Sequence, residues 1–179
     1  MNNNEQNSTE YIRSKMKQFK LVDMREQFQE LIEEARATNW DYEEFLVRLL
    51  KAEEEGKRAR RQDRLTAQAH FEAEKHLEDI DYSFNLSLDK GKIDELSSLK
   101  FMASNENILI IGPPGVGKSM VATGIGMKAC SAGEKVLFTN AKELLDRLCL
   151  EAAGGSLRAA LEAMDKVRLL IIDELSYIT

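Results

Sequence analysis

The 179-residue sequence is short of cysteine, proline, histidine and tryptophan, with two, two, two and one of each, and aromatics make up only 7% of it. Each shortage excludes something. Cys130 and Cys149 lie far apart, without C-x-x-C spacing or companion histidines, so they read as two reduced core thiols rather than a disulfide or a metal site. Nowhere do eighteen apolar residues run together. The start, Met1-Asn2-Asn3-Asn4-Glu5-Gln6-Asn7, has no apolar stretch to direct export, so the protein is expected in the cytoplasm, away from any membrane. With 43% hydrophobic and 31% charged residues the chain can build a core, and the scarcity of proline favours helix over disorder. Asp and Glu outnumber Lys and Arg by 31 to 25, a net charge of −6, so any affinity for nucleic acid must come from a local patch.

Against this background one stretch stands out. Gly112-Pro113-Pro114-Gly115-Val116-Gly117-Lys118-Ser119 matches G-x-x-x-x-G-K-[ST] in full. Its glycines allow a turn tight enough for successive N–H groups to point at a phosphate, and the helix that follows aims its positive end at the same anion. Lys118 would reach the β- and γ-phosphates, and the Ser119 hydroxyl would ligate Mg²⁺. Residues 107–111, Asn-Ile-Leu-Ile-Ile, read as a buried strand entering the loop, and 120–130 as the helix leaving it. The nucleotide-binding set is therefore the eight loop residues together with Met120.

Before this loop the chain reads as helical. Residues 1–8 are expected to be frayed. Leu21, Met24, Phe28, Leu31 and Ala35 recur at three- and four-residue steps, the mark of an amphipathic helix ending near Ala37. Asp41 followed by Glu44 resembles a capping box for the next helix, with Phe45, Leu46, Leu49 and Leu50 as its packing stripe. That helix is expected to continue to about Leu77, bent at Gly56. Along it Lys57, Arg60, Arg61 and Arg64 fall within a stripe about 100° wide, flanked by Arg58. Lys57 and Arg58 have acidic residues four positions earlier, but Arg60, Arg61 and Arg64 do not. An arginine ridge without acidic partners fits a phosphate backbone, and the alternatives are a solvated face or a protein-binding ridge.

Residues 78–85 read as an extended connector whose Tyr82 and Phe84 pack on a core or border a nucleotide base. Ile93, Leu96, Leu99 and Met102 mark one further helix. After the loop helix, 135–139 reads as a strand, 141–150 and 157–164 as helices, the latter capped by Ser156, and 168–174 as a buried strand, so the alternation predicts a parallel sheet. Asp173 and Glu174 emerge at that strand's carboxyl end, about fifty residues after the loop, where ligands of such sheets bind. Asp173 would hold Mg²⁺ through a water, and Glu174 would polarise the attacking water as general base. A water activator points to ATP hydrolysis rather than transfer to a small-molecule hydroxyl.

The loop, the 169–177 stretch and the connector Leu77-Glu78-Asp79-Ile80-Asp81-Tyr82-Ser83-Phe84 together resemble the IstB-like AAA+ ATPases, helper proteins of insertion-sequence transposition related to DnaC-type helicase loaders. The resemblance covers about residues 16–179. It implies an α/β P-loop NTPase of AAA+ type preceded by an all-α N-terminal region: 1–78 helical and DNA-binding, 79–106 connector and helix, 107–179 the first half of the ATPase domain. It implies ATP and Mg²⁺ at the loop, Ser119 and Asp173, with Lys118 and Glu174 catalytic. It also implies DNA binding by the N-terminal helices, assigned on charge to Lys57, Arg58, Arg60, Arg61 and Arg64. The implied partners are double-stranded DNA, further copies of the chain in an ATP-dependent oligomer, and the element's transposase. In the family's sheet a further strand separates the loop strand from the Asp-Glu strand, and that strand, a sensor residue, an arginine finger and a helical lid would all lie beyond Thr179. A helicase loader, or a truncated module that binds DNA without hydrolysing ATP, are the alternatives.

Overall fold

The computed structural model describes residues 3–83 and 88–175. The chain divides into two compact units, Met1–Arg61 and Gln62–Thr179. Residues 62–78, which the sequence reading places with the N-terminal helices, therefore belong to the second unit.

The first unit consists of α1 (Asn3–Gln18), α2 (Val22–Thr38) and the greater part of α3 (Tyr42–Gln68). Contrary to the expected fraying, α1 is helical from Asn3. The predicted stripe of α2 is its core face: Met24 and Phe28 are buried with Met16 and Leu49, and Phe45 stacks obliquely on Phe28 at 6.5 Å. Asn39 closes α2 in the left-handed conformation that asparagine tolerates, and Trp40 N–H donates back to the Ala35 carbonyl. Asp41 caps α3, accepting from Glu44 N–H at 2.8 Å. The reciprocal half of a capping box is absent because the Glu44 carboxylate pairs with Arg48 instead. Of the stripe expected on α3, Leu49 is buried and Phe45 half-buried, but Leu46 and Leu50 are exposed.

Leu21 precedes α2 and has no side chain that could cap it. Glu53 of α3 does so from across the bundle, accepting from Asp23 N–H at 3.0 Å and Met24 N–H at 3.1 Å. Gly56 makes this joint possible. A Cβ there would lie 2.0 Å from the Asp23 carboxylate. The glycine thus marks a close approach rather than the expected bend, and α3 runs through it without interruption. The helix stops at Gln68, well short of Leu77, because the Ala69 carbonyl accepts from Phe138 N–H and His70 turns left-handed.

The second unit is built on two parallel strands, β1 (Val136–Asn140) and β2 (Leu169–Asp173), in the register Val136↔Leu169 through Asn140↔Asp173. Before them come a 3₁₀ turn (Leu77–Asp79), α4 (Lys90–Ser97), α5 (Lys100–Ser104) and α6 (Lys118–Ser131), with α7 (Ala141–Ala153) and α8 (Leu157–Met164) between the strands. The single helix expected across Ile93–Met102 is two, because Leu99 adopts a left-handed φ of 59°. One core cluster joins Leu65 and Ala69 to Ala129, Cys130 and Val136; another joins Leu77, Ile80 and Ile93 to Val121 and Ile125. The connector's Leu77 and Ile80 are therefore core residues, Tyr82 packs against the same cluster, and Phe84 and Asn85 lie outside the described residues. Cys130 is fully buried, but Cys149 is exposed, so only one of the two is a core thiol.

Two strand expectations need correction. Among the described residues, 107–111 pair with no strand, and Leu109 and Ile111 are 71% and 83% exposed. β2 is half-buried rather than buried, with Leu170 and Ile172 turned outward. Residues 107–111 and β2 flank one cleft of about 920 Å³, and among the described residues no strand lies between them. Ladder hydrogen bonds require strands about 4.8 Å apart.

Candidate functional site

The loop is shaped by backbone conformation. Gly115 and Gly117 have φ of +79° and +86°, and a Cβ at either would meet nothing within 4 Å. The left-handed turn is what demands glycine there, and the space beside the backbone is open. α6 starts at Lys118 with Gly117 at its cap position and no side chain capping it. The first N–H groups of a helix have no intrahelical partner, so this end offers donors and a positive dipole to an anion. Lys118 folds back over the loop, its Nζ donating to the Pro113 carbonyl at 2.8 Å. The amine is thus held beside the groups that would share a phosphate with it.

The same cleft is lined by Gly112, Pro114, Lys118 and Ser119 from the loop side and by Asp173 and Glu174 from the end of β2. Parallel pairing with β1 fixes where β2 ends, and α6 packs on both strands, so residues distant in sequence come to one place. Glu174 has a left-handed φ of 54°, and its N–H donates to Asp173 Oδ1 at 2.9 Å. One carboxylate oxygen of Asp173, a residue that lines the cleft, is thereby tethered. The oxygen donors Ser119 and Asp173 suit a hard divalent cation, and the open left-handed loop suits the phosphates that would share it. Pro113, Gly115, Val116, Gly117 and Met120 do not line the cleft. Met120 instead packs, partly buried, against the second core cluster.

Sequence reading missed Asn140. It stands at the carboxyl end of β1 directly beside Asp173 in register, and it lines the cleft. Its Oδ1 accepts from Glu143 N–H at 2.9 Å, which caps α7 and fixes the amide. The side-chain NH₂ of Asn140 is not used by this cap. The signal was present in the pattern, an asparagine just after a strand and three before a glutamate, which is an N-cap signature. Ser156, expected to cap α8, does not; its hydroxyl lies on Glu151.

The basic residues of α3 separate into two kinds. The spacing predicts no acidic partner for Arg60, but its guanidinium donates to Asp23 Oδ1 at 2.9 Å, lies 2.7 Å from Oδ2 and 3.8 Å from Glu53. The partner comes from α2, which a search of positions four residues earlier could not reveal. Lys57 pairs with Glu53 at 3.4 Å, as its spacing predicted. Arg58, Arg61 and Arg64 are exposed, and Arg58 and Arg64 make no ion pair among the described residues.

Residues 14–179 match the family model described as IstB-like ATP binding protein. The chain belongs to the IstB-like ATP-binding family. Similar members include a protein of insertion sequence IS5376 from Geobacillus stearothermophilus, 37% identical over 155 residues, which are 87% of this chain and 62% of the relative. Another, of insertion sequence IS21 from Pseudomonas aeruginosa, is 34% identical over 148 residues, 83% of this chain and 56% of the relative. A third, of insertion sequence IS232 from Bacillus thuringiensis subsp. berliner, is 28% identical over 172 residues, 96% of this chain and 69% of the relative. All three are named for ATP binding. The chain thus spans about six-tenths of the length of the first two IstB-like relatives. The P-loop reading of the fold and the recognition of the family agree with this membership. Among the described residues no helix is long and apolar enough to cross a membrane.

Proposed function

We propose that this chain binds ATP with Mg²⁺ and serves as the ATP-binding helper of an insertion sequence, assembling on double-stranded DNA in an ATP-dependent way and stimulating the element's transposase. The observation that carries the nucleotide part is the meeting of Lys118 and Ser119 with Asp173 and Glu174 around one cleft. The insertion-sequence names of the relatives support the transposition role over that of a helicase loader. Exposed Arg58, Arg61 and Arg64 on α3 support the DNA part, as groups able to neutralise phosphates without reading bases.

The residues divide the work as follows. The loop N–H groups and the start of α6 bind the phosphates, and Lys118 exchanges the Pro113 carbonyl for phosphate oxygen. Ser119 and Asp173 would hold Mg²⁺, which when bound neutralises charge on the β- and γ-phosphates. Glu174 takes the proton of the attacking water through its carboxylate. Asn140, in register with Asp173 and lining the same cleft, supplies a further polar group beside the acidic pair.

The test is equilibrium binding of ATP, and of DNA with and without ATP. The expected result is ATP binding that Lys118→Ala weakens by about tenfold or more and DNA binding that ATP strengthens. DNA binding indifferent to ATP would refute the assembly reading, and absence of ATP binding would refute the whole.

A further inference from the structure

α6 carries two glycines in its interior, Gly124 and Gly126, where alanine would be the better helix former. Both are pressed from outside. A Cβ at Gly126 would fall 2.8 Å from Ile171 Cδ1 on β2 and 2.8 Å from Phe71 Cε1 and Cζ. A Cβ at Gly124 would fall 2.5 Å from Leu77 Cδ2 and 3.2 Å from the Leu77 backbone nitrogen. Real Cβ atoms do not approach so closely, so something would have to move: at Gly126 the ends of the Ile171 and Phe71 side chains or the helix itself, at Gly124 the Leu77 side chain and its backbone or the helix.

The two contacts lead to different places. Gly124 faces the Leu77 turn, whose atoms are the nearest to a Cβ built there. Gly126 faces β2 two residues before Asp173, while the first turn of α6 carries Ser119. The loop, Lys118 and the start of α6 are one continuous stretch and travel together when the helix shifts. Only the relation of Ser119 to Asp173 spans two elements, and it is set by how closely α6 lies on β2. Mg²⁺ keeps several of its waters and is held by few protein groups, so where Asp173 stands relative to Ser119 decides whether a water on the ion would reach its carboxylate.

We propose that Gly126 is a positioning residue for the metal: its missing side chain lets α6 lie against Ile171 at the spacing that allows the Ser119 hydroxyl and the Asp173 carboxylate to serve one Mg²⁺. The proposal rests on the reading of the cleft as an ATP site. Its prediction concerns the difference between metal-dependent and metal-free binding.

The experiment measures the affinity of the 179-residue chain for ATP with Mg²⁺ and with EDTA, the ratio being the readout, with circular dichroism to verify folding. Gly126→Ala should leave the metal-free affinity within about twofold and cut the gain from Mg²⁺ by roughly tenfold or more, as for other groups that orient metal ligands. Adding Ile171→Val, which removes the clashing Cδ1 atom, should restore most of that gain, whereas adding Phe71→Leu should not. An unaltered ratio in folded Gly126→Ala, or equal loss of both affinities without rescue by Ile171→Val, would overturn the proposal. If Gly126→Ala fails to fold, the Gly126→Ala/Phe71→Leu chain keeps only the strand-side clash and carries the same expectation; a normal ratio in it is equally fatal. An unchanged chain that binds ATP identically with and without Mg²⁺ overturns this proposal alone, whereas one that binds no ATP overturns the reading beneath it.

Discussion

Removing Glu53 should unfasten α2 from α3. The carboxylate is 4% exposed and accepts two backbone N–H groups at the start of α2, where no local side chain caps the helix. Its ion pairs with Lys57 and Arg60 reach half-exposed groups, so their contribution is screened and small. The cap decides the magnitude. Hydrogen bonds to a charged acceptor contribute about 1.5–3 kcal/mol each, and losing a helix cap costs about 0.5–2 kcal/mol, so Glu53→Ala should destabilise the first unit by roughly 2–4 kcal/mol. Glu53→Gln keeps an acceptor oxygen and should cost about half as much. A unit of some sixty residues has on the order of 3–9 kcal/mol to lose. Trp40 is the only tryptophan and belongs to this unit, so its fluorescence in a urea titration reports the event. With a slope near 1 kcal/mol per molar, the midpoint for Glu53→Ala should fall by on the order of 2 M. Gly56→Ala attacks the same joint from the other side, by driving a Cβ into Asp23, and should lower the midpoint as well. A Glu53→Ala midpoint that stays within about 0.3 M of the unchanged chain would refute the capping account.

Other expectations follow from single features. Arg58→Ala with Arg64→Ala should weaken DNA binding similarly across sequences and reduce its salt slope by about two, whereas Arg60→Ala, whose guanidinium is engaged by Asp23, should lower the Trp40-reported midpoint and leave the slope alone; a slope change for Arg60→Ala as large as for the pair would restore it to the DNA surface. Against a thiol reagent, exposed Cys149 should react at once and Cys130, whose thiol burial pushes up, only on unfolding; two fast thiols would contradict the packing around Cys130. The hydrogen bond from Lys128 holds the Glu78 carboxyl below its ordinary pKa of 4.5. A depressed folded-state pKa gives stability that is present above 4.5 and lost as pH falls through the lower folded value, so Lys128→Met should flatten the decline of thermal stability in that acid window. An identical decline in both chains would remove the pair from the account.

What the sequence disclosed and what it withheld divide along the range of the interactions. Asp41 with Glu44, the stripe on α2 and the Gly112–Ser119 loop depend on neighbours within a turn or two, so spacing alone locates them. Arg60 and Gly56 could not be understood that way, because Asp23 lies on another helix and only the fold brings it near. The apolar run at 107–111 has the composition of a buried strand, yet strand formation needs a partner edge that composition does not supply. Leu99 breaks an apparently continuous helical stripe through a left-handed φ, which apolar periodicity does not register. At the site, the charged residues were legible because each belongs to a short motif, while Asn140 gains its place only from the register of β1 on β2.

The central claim is that the loop and the end of β2 together form an ATP site, and titration calorimetry of ATP with Mg²⁺ into the purified chain tests it most directly. The account predicts saturable binding at one site per chain, weakened by about tenfold or more in Lys118→Ala through the loss of a charged hydrogen bond to phosphate. Absence of binding, or the same affinity in the unchanged and Lys118→Ala chains, would contradict it.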